Sequence, residues 1–420
     1  MEKWILLGTI LIRKILFCGS VKANGVILAD IVNQLDTTNS LVAWAFSLQN
    51  GIALLISPLV MFLLNYFSER QLCMVGGLLG GLGYIYCGLM MTSVYQLFIG
   101  LSVSGFGFGL AILPSFVSLQ YHFQPTELPL IISAIGTFDY IGVAILPPVL
   151  QLFRSDYGLK NSLILLGALA FNVATCGAAA RRPRNVKQTN NKQTNAVRQP
   201  DQEEPASNRD TKGIRKLFSN LRSLFQHKNI GILLIAEFVA FYVFASWAIF
   251  LVSLGKTQGL TDEESVFLST AGGLGGFIGK CSAAVLFKFK LVNPFTATLI
   301  PCFTTAAVFV VATMSTDFHI LLALIFISGL TQGINSSCVF SLMPGSVCPY
   351  HYRQILILEC LSCGLGTQFS GYVSGTIQDV TGSTIYVYLF NAMLNILLVL
   401  LSIWWACDPE PNLECDKSSL

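Results

Sequence analysis

Long apolar runs separated by short polar breaks recur along almost the whole chain. A helix needs about 20 mostly apolar residues to cross the hydrocarbon core of a bilayer, and twelve runs reach that length. They fall near 4–31, 42–66, 71–92, 94–121, 126–153, 160–180, 230–255, 264–287, 291–314, 318–343, 353–377 and 383–407. No small-residue cleavage site follows a short apolar core in the first run, so it is expected to be a span and not a removable leader.

The pattern changes between the sixth and seventh runs. The stretch "RRPRNVKQTNNKQTNAVRQPDQEEPASNRDTKGIRK" is rich in Asn, Gln, Thr and charge in its first part, a composition that predicts disorder. In "GIRKLFSNLRSLFQHK", Ile214, Leu217, Phe218, Leu221, Leu224 and Phe225 share one helical face with basic residues between them. That predicts an amphipathic helix lying on a membrane surface. The expected organisation is a six-helix bundle over 1–180, a basic loop over 181–229, a second six-helix bundle over 230–407 and a tail over 408–420.

Charge orients this arrangement. Twelve spans place the loop and both termini on one side, which then holds Lys3, Arg70, the cluster of Lys and Arg between 181 and 228, Lys288, Lys290, Arg353 and Lys417. The other side holds Arg154, Lys160 and Lys256. Positive residues collect on the cytoplasmic side of spans, so both termini are expected to be cytoplasmic.

Composition agrees with a chain that has little water-facing surface. Charged residues make up 11%, against roughly 25% in a soluble domain. Most cysteines lie inside apolar runs, where they pack as small hydrophobes. Cys360 and Cys363 form a C-x-x-C within a span, with no second pair or His cluster to complete a metal site. No cofactor, metal site or nucleic-acid partner is indicated. An enzyme is not expected, because no nucleophile elbow occurs and the four His stand near span edges. Gly279-Lys280 lacks the first glycine and the Ser/Thr of a phosphate-binding loop, which leaves these glycines as helix-packing positions.

A faint internal repeat is present. Ser104-Gly105 with Gly109 in the fourth run matches Ser328-Gly329 with Gly333 in the tenth. Gly158 and Gly382 stand at the same offset of 224 residues.

Four stretches, in order, resemble the monocarboxylate transporter family. They are "YQLFIGLSVSGFGFGLAILPSFVSLQYHF", "ILPPVLQLFRSDYGLKNSLILLGALAFN" with the following "RRP", "SLGKTQGLTDEESVFLSTAGG" and "SGYVSGTIQDVTGSTIYVYLFNA". Six spans, a basic loop and six spans is also the layout of the major facilitator superfamily. The resemblance implies an all-α membrane protein of the major facilitator fold, with 12 transmembrane helices in two six-helix bundles related by a pseudo-two-fold repeat. It implies alternating access for small organic anions with one carboxylate, often moving with a proton. It also implies a plasma-membrane location and, for some relatives, a single-span ancillary glycoprotein as partner.

Two cationic positions matter in that family. Lys22 stands at its first-span lysine, after Val21 in place of the usual Pro. Lys280 stands where the family has arginine, and Gly276, one turn earlier, replaces its aspartate. The loop after "YHF" reads "QPTELP" in place of a basic cluster. Arginine offers a planar fork and lysine a compact point charge, so the substrate cation is changed and the usual acid is missing.

Ionisable residues inside spans are costly and usually face a cavity or a partner. Lys280 lies eight residues before Lys288, about 12 Å from the boundary at 1.5 Å per residue, and is read as a substrate or coupling cation, with a structural ion pair or a side chain snorkelling to the boundary as the alternatives. Glu237, at matching depth on the neighbouring span, is its expected partner, either as a proton carrier or as a structural ion pair. Lys22 is expected to draw anions to the outer mouth or to pair across helices. Arg13 and Lys14 either sit at the inner edge or, if the first span begins at Trp4, are buried with Asp139 as counter-charge. Asp139, left without a cation, would be a second proton carrier. Glu359, one to two turns from Arg353, is read as structural. The alternatives are an uncoupled facilitator or exchanger of an amino acid, an aromatic acid or a neutral metabolite, and a non-transporting sensor.

Overall fold

The structure is a computed structural model that describes residues 2–119, 123, 128–179, 228–289, 296–345 and 352–407. The amphipathic segment over 214–225 and the tail lie outside these residues.

The first span is built from α1 (Glu2–Ala23), a 3-10 turn (Asn24–Val26) and α2 (Leu28–Leu35). The second is α3 (Asn39–Leu55) and α4 (Ser57–Leu63), which meet at 42°. Pro58 stands in the first turn of α4, where its missing N–H would be unsatisfied in any case. Next come α5 (Glu69–Met90) and α6 (Val94–Leu119). Helix α5 starts at a capping box, in which Ser68 and Gln71 satisfy each other's backbone amides. Helix α7 (Leu128–Ala170) holds the fifth span and most of the sixth, with a break at Gly158, and α8 (Asn172–Ala179) completes the sixth. The second half comprises α9 (Lys228–Thr257), α10 (Asp262–Lys288), α11 (Thr296–Met314), α12 (Phe318–Gly345), α13 (Tyr352–Thr381) and α14 (Thr384–Cys407).

Among the described residues, eight helical stretches are long and apolar enough to cross a membrane alone, and the bent α3–α4 pair makes a ninth. One of the eight, Ala134–Ala178, carries two spans joined at Gly158. Helices α10 and α13 are full length but interrupted by Gly, Ser, Thr and acidic side chains. These two less apolar spans both contribute walls to the central cavity described below.

The repeat read from the glycines has a structural counterpart. Gly158 has φ 77° and Gly382 φ 68°, a conformation that glycine adopts without the Cβ penalty. Each reverses the chain between the last two spans of its half. Gly105 packs on the backbone of Gln49 and Gly329 on that of Gly272; Gly109 meets Ala53 and Gly333 meets Gly276. In both halves, therefore, the fourth span packs against the second at the same two levels. The halves meet where α3 packs on α13, α7 on α10, and the 3-10 turn on α9. At that turn, Gly25 lies against the Ile249 carbonyl.

Burial of Arg13 and Lys14 follows from α1 beginning at Glu2. Arg13 is 1% exposed. It donates to the Cys73 thiol at 3.0 Å and, along its own helix, to the Thr9 carbonyl at 3.1 Å. The inner-edge alternative for this pair does not hold.

Candidate functional site

A cavity of about 220 Å³ lies between the halves. Its lining comes from the halves of the helices nearer the chain termini, including Lys14, Phe116, Asp139, Glu237, Lys280, Gln332, Glu359 and Leu398. Most of the wall is apolar, and the five charged side chains among these residues converge on one space.

Two of those charges neutralise each other. Lys14 Nζ lies 3.1 Å from Asp139 Oδ1, and the Cys18 thiol donates to the same oxygen at 3.2 Å. The pairing expected for Lys14 is therefore present, and Asp139 is not the unpaired acid that would act as a second carrier.

Lys280 is placed differently from the expectation. Its electrostatic neighbours are Asp139, Lys14 and Cys18, and no ion pair joins it to Glu237 among the described residues. Its ammonium lies 5.6 Å from the centre of the Tyr140 ring. That ring also explains the missing acid: a Cβ at Gly276 would fall directly on Tyr140. The aromatic side chain occupies the space that an aspartate would need. Equal depth on adjacent spans does not fix the direction in which a side chain points, which is why Glu237 turns elsewhere.

Glu237 and Glu359 form the other pole. They are 1% and 2% exposed and close enough to interact as like charges. The Cys363 thiol donates to Glu237 Oε2 at 3.1 Å. Oε1 of each glutamate is buried without a hydrogen-bond partner. Glu359, read from sequence as structural, is a wall residue of the cavity; the side chain of Arg353 lies outside the description. Cys363 carries no functional signal in the sequence beyond its place in C-x-x-C.

Lys22 is not in this cavity. It is 1% exposed, donates to the Trp247 carbonyl at 3.2 Å and sits 3.9 Å over the Trp247 ring. Of the two readings for Lys22, pairing across helices describes this conformation and the open mouth does not. The contact ties α1 to α9 and so crosses between the halves.

Further cross-half contacts close the end of the bundle away from the termini. Arg154 on α7 pairs with Asp30 of its own half and with Asp262 of the other half at 2.9 Å; Lys256 reaches Asp262 at 2.9 Å. The Lys256 hydrogen bond, set against partial burial and helped by Arg154, holds the Asp262 carboxyl below the usual carboxylate range. Across the mouth, Asp379 of α13 caps α3. It accepts from the backbone amides of Asn39 and Ser40 and from Asn39 Nδ2, each at 2.9 Å. Burial alone would raise the Asp379 carboxyl, but the hydrogen bonds from Ser40 and Asn39 outweigh it and hold the group low.

A two-bundle helical protein whose mostly apolar central cavity holds a few converging charges, closed at one end by contacts between its halves, has the construction of a secondary transporter. The sequence profile of the Major Facilitator Superfamily matches residues 11–356, and the chain belongs to that family of multi-pass membrane transporters. It is similar to monocarboxylate transporter 2 of Homo sapiens, with 24% identity over 96% of this chain and 84% of that protein. It is also similar to monocarboxylate transporter 4 of Gallus gallus, with 22% identity over 88% and 75%. The match to monocarboxylate transporter 14 of Homo sapiens is 31% identical but spans 42% of this chain and only 35% of that protein. In fold it resembles a crystal structure of a mutant of the peptide transporter POT in complex with sulfate, with TM-score 0.70, 14% identity and coverage of 96% and 94%.

Proposed function

We propose that this chain carries small organic anions with a single carboxylate across the membrane by alternating access. The observation that carries the reading is Lys280, an ammonium in a mostly apolar central cavity with no carboxylate bonded to it among the described residues, in a chain whose relatives are named monocarboxylate transporters. A substrate carboxylate would meet that charge in a low-dielectric space, where the attraction is stronger than in water.

The cavity lies toward the termini while the far end is tied shut, which supports reading this conformation as open inward. The basic loop over 181–229 and both termini would then be cytoplasmic. The two bundles over 1–180 and 230–407 would rock about the cavity, in a plasma membrane by analogy with the relatives.

Proton linkage, in this reading, rests on Glu237 and Glu359. An anion added beside two carboxylates raises the negative charge of a buried space, and a proton on the pair offsets it. Asp139 is committed to Lys14 and takes no part. Lys22 would meet substrate only when the far end opens.

The test is uptake of labelled lactate and pyruvate into vesicles holding the purified full chain, with and without an inward proton gradient, beside Lys280→Ala. Uptake that rises with the gradient and disappears in the variant supports the proposal. Uptake indifferent to the gradient makes the chain an uncoupled facilitator. No uptake of either acid removes the monocarboxylate reading.

A further inference from the structure

Pairing off the charges in the cavity leaves an imbalance. Lys14 and Asp139 satisfy each other at 3.1 Å. Among the described lining residues, what remains is one cation, Lys280, at one pole and two carboxylates, Glu237 and Glu359, at the other. Both glutamates are more than nine-tenths buried, and each keeps one oxygen without a partner. Gln332 is also more than nine-tenths buried, lines the same space and has its Nε2 donor unsatisfied.

Buried polar groups without partners are expensive, and natural structures leave few of them. A simple monocarboxylate satisfies Lys280 but offers nothing to the glutamate pole, since both partners there are acceptors. A hydroxyl donates one hydrogen bond; an ammonium donates three and brings the opposite charge. The volume of about 220 Å³ is ample for a carboxylate and an amine carried on one short carbon skeleton.

We propose that the solute best fitted to this cavity is a small zwitterion, with its carboxylate at Lys280 and its cationic nitrogen at the Glu237–Glu359 pair. The inference rests on the reading above, in that Lys280 holds a carboxylate in this cavity. A zwitterion adds no net charge to the site, so its binding calls for no extra proton, whereas a monocarboxylate does. The acid pair is thus either protonated or occupied by the substrate's own ammonium. Discrimination against an analogue lacking the ammonium follows from leaving the buried acceptors unpaired, which is the strong form of selectivity available to a polar pocket.

The experiment compares isosteric ligands on the purified full chain by titration calorimetry at one pH. L-alanine is set against L-lactate, and L-phenylalanine against L-phenyllactate; each pair differs in ammonium against hydroxyl. N-acetyl-L-alanine keeps the carboxylate but loses the positive charge. The expected result is that at least one amino acid binds tenfold or more tightly than its hydroxy acid, with the acetylated compound weaker than L-alanine. In Glu359→Gln or Glu237→Gln the ratio for that pair falls to within about threefold. The ratio is taken within one preparation, so it is insensitive to how much of a variant folds. If neither variant folds, the wild-type ligand series decides alone. Hydroxy acids that bind as well as or better than both amino acids overturn the inference and leave the carboxylate reading standing. So does a preference that survives unchanged in both variants. If none of the five compounds binds, the carboxylate reading fails and the inference fails with it.

Discussion

Arg154→Gln removes the guanidinium that joins the two halves at the closed end. The pair with Asp262 at 2.9 Å is lost, together with the pair to Asp30, while Lys256 still holds Asp262. Arg154 and Asp262 are both partly solvated, so the pair is worth far less than a buried one; exposed pairs contribute about 0.2–1 kcal/mol and networks lie at the upper end. Taking about 1 kcal/mol, the ratio of molecules open to molecules closed at this end, in the proposed alternating-access cycle, is expected to rise about fivefold. The readout is backbone hydrogen exchange of Asn39 and Ser40. These amides are held by Asp379 from the opposite half and are not bonded to Arg154. They exchange freely only when the halves part, and are expected to exchange about fivefold faster in the variant. If faster exchange is confined to peptides around 154 and 262, while Asn39 and Ser40 stay within twofold of wild type, the two contacts open independently. The idea of one concerted closure then fails.

The same closure has a defined pH dependence. Asp262 and Asp379 titrate below the usual carboxylate range when the end is closed, so their contribution is complete above the ordinary aspartate pKa of about 3.9 and is lost as pH falls below it. Protection of Asn39 and Ser40, corrected for intrinsic rates, should be level from about pH 8 to 5.5 and should drop below about pH 4. Lys14→Met leaves Asp139 without its cation in the cavity wall, and the melting temperature of the purified protein should fall by the equivalent of about 3 kcal/mol. Adding Asp139→Asn should recover most of the loss; a double variant as unstable as the single one contradicts the pairing. Gly276→Ala places a methyl group on the Tyr140 ring and should cost about 1–3 kcal/mol through overpacking. Combining it with Tyr140→Ala should cost less than the sum of the two, and strict additivity in thermal melts would count against the contact.

The spans are legible because lipid demands long apolar helices, and α1 to α14 fall within a few residues of the runs read from the sequence. The glycines common to both halves are legible for a similar reason: Gly158 and Gly382 are required by backbone conformation and not by neighbours. The pairing of Lys14 with Asp139 is also within reach, since opposite charges buried in one bundle must meet. The surroundings of Lys280 are not. Depth along a span can be counted in residues, but the azimuth of a side chain depends on how helices rotate against each other. Glu359 escapes a reading that seeks its neighbour along its own helix, because the group it faces, Glu237, lies across on α9. Trp247 gives no signal as the partner of Lys22, because an aromatic face and a carbonyl carry no formal charge to match.

That last contact has a mechanical consequence. In the closed far end the buried Lys22 ammonium has an indole face and one carbonyl in place of water, with no ion pair to a carboxylate among the described residues. A cation–π contact and a single hydrogen bond replace only part of the lost hydration. In the proposed alternating-access cycle the shut mouth would then be loaded like a compressed spring: Lys22 would push toward release, and the polar contacts of Arg154 and Asp379 at the rim would hold the catch. On that proposal, a buried lysine working against a few solvated contacts would bring the two positions of the cycle closer in energy. Small changes at the rim would then translate into large changes in which side the protein faces.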